Sequence, residues 1–145
     1  MTGYLAKAFS VWLIGFFPLA EIYVAVPAGL AMGLDAVSTV VWSATGNIAP
    51  VFLLHFGYEA LARIPRVGRW LERLASPRLR ETLDRRGGWF LLVATPWIGV
   101  WIVAASARLL GMRPDRILLY SSVSVILYAI ALTALITFGV DLARG

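Results

Sequence analysis

Glu21 stands in the middle of an apolar run from Phe9 to Leu34, between Pro18 and Pro27. A run of that length can cross a bilayer, which takes about 20 residues. An acid at mid-membrane costs about 2.5–3.5 kcal/mol on insertion scales, so such residues are rare and mostly functional. The chemistry open to Glu21 is proton exchange: neutral while protonated, and able to meet a cation or repel an anion once ionised. The bland alternative is a protonated carboxyl bonded to backbone groups that Pro18 frees. Arg108, four residues before Met112, either snorkels to the interface or pairs with Glu21 or an anionic headgroup. Asn47 follows Gly46 and precedes Pro50; its amide either lines a cavity or bonds a neighbouring helix. His55 could relay protons or be an interfacial residue or a satisfied helix contact, the commoner case for a lone histidine there. Trp97 and Trp101 could stack on an apolar ligand or belong to an aromatic belt.

No catalytic constellation accompanies these residues. Ser121, Ser122 and Ser124 lie in an apolar stretch with no base placed to activate them, and are expected to bond backbone carbonyls or a neighbouring helix. With no cysteine and a single histidine, His55, no metal site and no cofactor is expected. The chain lacks a Gly-rich phosphate loop. It has 145 residues, 60% hydrophobic and 14% charged, where soluble domains carry about 25% charged residues. These numbers mark an integral membrane protein. The net charge of +5 does not point to nucleic acid, because the basic residues gather in one loop beside apolar segments.

Four apolar stretches position the candidate residues: 9–34, 36–61, 88–112 and 115–140. Between the second and third lies 62–87, with eight arginines against Glu72, Glu81 and Asp84. Trp70, Leu71 and Leu74, then Leu79 and Leu83, recur at helical spacing, and Ser76-Pro77 reads as a cap followed by a first-turn proline. Two amphipathic helices on the membrane surface are expected there. Sliding the chain on itself by 78 residues sets Pro18 on Pro96, Gly33 on Gly111 and Ser43 on Ser121, Tyr23 opposite Trp101, and Trp42 opposite Tyr120. The halves read as diverged copies, repeat one 9–61 and repeat two 88–140. If 9–34 and 88–112 are re-entrant hairpins turning near 18–21 and 96–99, the copies are inverted. Arg113 and Arg116 then share the side of the basic loop, as the positive-inside rule favours.

From Pro18, "PLAEIYVAVPAGLAMG" resembles the P-x-x-E-x-R-x-A-I-P-x-G pattern of the small multidrug export protein family, which is related to the DedA superfamily. Gly46-Asn47 with Pro50 resembles that family's G-N-x-x-P. "RRGGWFLLVATPWIGVWIVAASARLLGM" resembles its second block, R-x-G-x-(apolar)-P-L-P-G-T-G-A-W-T-G followed by A-x-L-L-G. Tyr23 stands where the family has arginine, and Ala94-Thr95-Pro96-Trp97-Ile98-Gly99-Val100-Trp101 where it has P-L-P-G-T-G-A-W. The resemblance implies the inverted hairpin fold and a transport role.

The expected fold is therefore an all-α polytopic membrane protein of a single domain, 1–145, built from two inverted repeats, each a re-entrant helical hairpin plus a transmembrane helix. The hairpin tips are expected to meet at the midplane and form the site. Its residues would be Glu21, Pro18, Tyr23, Pro27, Asn47, Pro96, Gly99, Trp101 and Arg108. The expected partners are membrane lipids, an amphipathic substrate such as a lipid phosphate or lipophilic drug, and a second copy of the chain. The expected place is the cell membrane, with 62–87 cytoplasmic. A passive channel and an assembly protein without transport are the alternatives.

Overall fold

The computed structural model describes residues 2–74 and 88–144. Among them all regular structure is helical: α1 (Thr2–Phe16), α2 (Glu21–Ala31), α3 (Ala36–Ala62), α4 (Pro65–Leu74), α5 (Trp89–Ile98), α6 (Val100–Leu109) and α7 (Pro114–Arg144). α3 and α7 are long and apolar enough to cross a membrane. At about 1.5 Å per residue, α3 and α7 exceed the roughly 30 Å hydrocarbon core, while each of the four short apolar helices falls below it. The apolar runs 9–34 and 88–112 are thus each broken into two short helices.

The breaks have local causes. Pro18 lies in the connection 17–20 that ends α1, where its missing N–H and fixed φ stop the helix. In the second run the expected turn over 96–99 shrinks to Gly99 alone, and Pro96 stays inside α5. Four described residues have a left-handed φ: Glu21 at 46°, Gly33 at 78°, Gly99 at 99° and Gly111 at 75°. They form two pairs, Glu21 with Gly99 and Gly33 with Gly111, each 78 residues apart. Gly33 and Gly111 also close their helices identically. Leu34 N–H donates to the Gly29 carbonyl and Met112 N–H to the Ala107 carbonyl, both at 3.0 Å. That is the Schellman bond, which needs a left-handed residue that glycine supplies without a Cβ clash.

The described chain forms two compact units. One comprises residues 1–47 and 125–145, the other 48–124. In the first, α1 and α2 pack on each other, and α1 meets α3 backbone to backbone. A Cβ on Gly15 would come 2.8 Å from the Ser43 carbonyl oxygen, and one on Gly46 within 2.2 Å of the Trp12 carbonyl oxygen. Tyr4 and Ser38 hydroxyls bond at 3.0 Å, and Trp42 Nε1 donates to the Tyr4 oxygen at 3.1 Å. Asp35 caps α3 by accepting the Ser38 N–H at 2.9 Å.

In the second unit α4 packs against α6, with Trp70 edge-on to Trp101 at 5.3 Å between centroids. Arg66, Arg69 and Arg73 are exposed on α4. The first expected amphipathic helix is therefore present as α4. The second, with Ser76-Pro77, Leu79, Leu83 and the arginines at 78, 80, 85 and 86, lies outside the described residues. At the start of α5, Gly88 lies against the Tyr120 ring, and Trp89 is 6.4 Å from that ring.

Candidate functional site

In the first unit the break between α1 and α2 places Glu21 at the first residue of α2, 8% exposed. Its φ of 46° is unusual for a residue with a side chain, and such strain persists where surrounding structure imposes it, often at functional sites. Tyr23, two residues on, is 44% exposed and lies within electrostatic reach of both Glu21 and Tyr128. Pro18 is half-buried in the connection, and Pro27 is exposed inside α2. Asn47 is buried and donates from Nδ2 to the Gly15 carbonyl at 3.1 Å. Gly15 is in the last turn of α1, where carbonyls lack helical partners. Glu21, Tyr23 and Asn47 thus belong to one unit, with Asn47 holding the end of α1 that leads into the break. Tyr128 joins them unforeseen. The only sequence signal for it was a phenol in an apolar span, which reads equally well as a packing residue.

The second unit answers with a similar device. The α-helical donor to the Leu92 carbonyl would be residue 96, and Pro96 has no N–H. The Ser124 hydroxyl supplies the bond instead, at 2.6 Å. Ser124 and Leu92 are 32 residues apart, as are Asn47 and Gly15. In each half, a polar side chain of the long helix satisfies a carbonyl of the first short helix, in its last turn at Gly15 and in its first turn at Leu92.

Gly99 makes the α5–α6 break, so Trp97 and Trp101 lie on different helices. Trp97 is 75% exposed, while Trp101 is 6% exposed against Trp70. Arg108, in the last turn of α6, sets its guanidinium 5.5 Å over the Tyr58 ring. A cation–π contact of that kind is worth about 0.5–2 kcal/mol. His55 Nε2 lies 3.9 Å from the Asp115 carboxylate, and His55 and Arg108 line a cavity of about 10 Å³ with Pro114 and Ile117. That space holds about one water, too little for a substrate.

No group of three or more histidine, aspartate or glutamate side chains that could hold a metal occurs among the described residues. The break at Glu21 combines a buried carboxyl with irregular backbone, with Tyr23 in electrostatic reach.

The family described as "Putative small multi-drug export protein" matches residues 21–131. That interval begins at Glu21 and takes in Asn47, Pro96, Gly99, Arg108 and Tyr128. No curated protein and no solved structure matches.

Proposed function

This chain belongs to the small multi-drug export family, and we propose on that premise that it is a membrane transporter moving an amphipathic substrate, coupled to protons through Glu21. The observation that carries this is Glu21 itself: a carboxyl 8% exposed, in left-handed backbone, at a break in an apolar hairpin. Irregular backbone at membrane depth is tolerated where protein buries it or it lines a wet cavity. Strain and acid at one residue are what a site requires and a mere anchor does not.

Two repeats of re-entrant hairpin plus span complete the proposal. Tyr4, in the first turn of α1, bonds Ser38 and Trp42 in the first turns of α3. Both ends of the α1–α2 hairpin thus lie at one level, as re-entry requires. His55 near Asp115 brings the last turns of α3 to the first turn of α7. This supports a common side for 62–87 and 112–116, the cytoplasmic one by the positive-inside rule. The paired left-handed residues support a common ancestry of the halves. α4 sets Trp70 against Trp101 of α6 and offers Arg66, Arg69 and Arg73 to anionic headgroups, at about 1 kcal/mol per charge. A second copy of the chain would shield further polar surface from lipid.

The test is transport against pH in liposomes, scoring fluorescent phospholipid scrambling and lipophilic dye efflux with and without a pH gradient. The parent should respond to the gradient, Glu21→Gln should insert but lose the pH dependence, and Glu21→Asp should keep part of the rate with a shifted profile. If Glu21→Gln matches the parent in rate and pH dependence, the proton mechanism is wrong. Flux without any response to the gradient would make the protein a passive channel.

A further inference from the structure

We infer that the first unit carries a binding groove for a lipophilic cation along the C-terminal half of α7. As a substrate site it rests on the transport reading above; as a binding site it does not.

Two hollows adjoin there. One, of about 360 Å³, lies between the start of α3 and α7, with Val37, Val41, Ile130 and Phe138 on its walls. The other, of about 530 Å³, lies between the last turns of α2 and the end of α7, where Pro27 and Ala31 face Val140 and Asp141. Thr137 lines both, so the two hollows lie side by side along α7 and are treated together as one groove. Small-molecule sites typically measure about 300–1,000 Å³ and are mostly apolar with a few placed polar groups.

The polar groups here sit at chosen points. Thr137 donates its hydroxyl to the Thr133 and Ala134 carbonyls at 2.9 and 3.0 Å. Thr133, also on the wall, is 3% exposed, and its hydroxyl has no hydrogen-bond partner among the described residues. Threonine in a helix divides between two χ1 rotamers, and one step exchanges the Thr133 methyl and hydroxyl at the groove. Among the described residues that line it, Asp141 is the sole charged side chain. It lies in the last turn of α7, where the helix macrodipole adds about half a negative charge. The groove is therefore apolar along its length and electronegative at one end. Lys7, beside Gly33, and Asp35, the cap of α3, are charged groups of the same unit but do not line it; Arg144 follows Asp141 by three residues. An anion would be repelled at the Asp141 end. A plain acyl chain would gain nothing there. A bulky apolar cation satisfies both ends.

The test uses the full chain in neutral-lipid nanodiscs and two ions of the same shape and opposite charge, tetraphenylphosphonium and tetraphenylborate. The phosphonium should bind saturably and the borate should not. Asp141→Asn should weaken the phosphonium by about tenfold, the effect of one charge at a partly solvated site. Ala134→Trp should fill the groove and abolish binding; if that variant does not fold, Asp141→Asn on the exposed helix end still decides. Equal binding of the two ions, or an unchanged affinity in Asp141→Asn, overturns the inference. So does a linear uptake that empty nanodiscs reproduce, which is partition into lipid. A dimer that Ala134→Trp converts to a monomer by mass would make the groove the seat of a second copy and overturn it too. Saturable binding without flux in liposomes would refute transport and leave the groove; flux of the phosphonium without saturable binding would refute the groove alone.

Discussion

Replacing Glu21 by glycine and by alanine separates what its backbone costs from what its side chain does. In an ordinary helix interior alanine is favoured over glycine by about 1 kcal/mol. At φ 46° the order should reverse. A left-handed conformation costs a residue with a Cβ about 1–2 kcal/mol. Glycine avoids that but loses about 0.5–1 kcal/mol through its freer unfolded chain. The difference leaves Glu21→Gly more stable than Glu21→Ala by roughly 0.5–1 kcal/mol, about a two- to fivefold change in the folding equilibrium. Both variants lack the carboxyl, so its interactions cancel in the comparison. The control is Ala28→Gly, in the same helix without left-handed backbone, which should lose about 1 kcal/mol. Unfolding in mixed detergent gives the stabilities, and liposome flux gives the function, which both Glu21 variants should lose in its pH dependence. Glu21→Ala at least as stable as Glu21→Gly would refute the argument that the fold imposes strain on this residue.

Ser124→Ala should cost about 1–2 kcal/mol by orphaning the Leu92 carbonyl. In a Pro96→Ala background, where residue 96 can donate, the cost should fall near zero; equal costs in both backgrounds in a double-mutant cycle would refute that pairing. Asn47→Leu should lose about 1 kcal/mol through the Gly15 carbonyl in the same unfolding assay. Bonds from the Ser38 hydroxyl first and the Ser38 amide second hold the Asp35 carboxyl below the usual carboxylate range. A lowered folded value stabilises above the unfolded one, about 3.9, and is lost as pH falls through the folded value. Acid unfolding scans of Asp35→Ala should therefore lose part of the parent's slope below about pH 4. Single cysteines at 35, 76 and 114, in a chain without its own, should label with an impermeant reagent so that 76 and 114 share a side opposite to 35. Labelling of 76 and 114 from opposite sides would exclude re-entry.

The membrane class follows from composition alone, because burying so many apolar residues in a chain this small leaves too little polar surface for water. The long helices followed from unbroken apolar runs, and the breaks from Pro18, Gly33 and Gly111, whose backbone restrictions act locally. The 78-residue offset was legible for the same reason: proline and glycine keep their conformational demands even where side chains around them have drifted. Glu21 was legible as a rare acid in an apolar stretch. What it could not show was the left-handed φ, which belongs by local preference to glycine and which Gly99 in the other half does supply. Nor could it show that Pro96 remains within a helix, since that depends on Ser124, 28 residues away. That Trp97 lies exposed while Trp101 packs on Trp70 follows from the left-handed backbone at Gly99, which puts the two on different helices. Tyr128 in electrostatic reach of Tyr23 and the groove ending at Asp141 depend on how α2, α3 and α7 lie against one another. Local propensity sets where a helix starts and stops; which of its faces meets which neighbour is a matter of packing between segments far apart in the chain, and that only the tertiary structure decided.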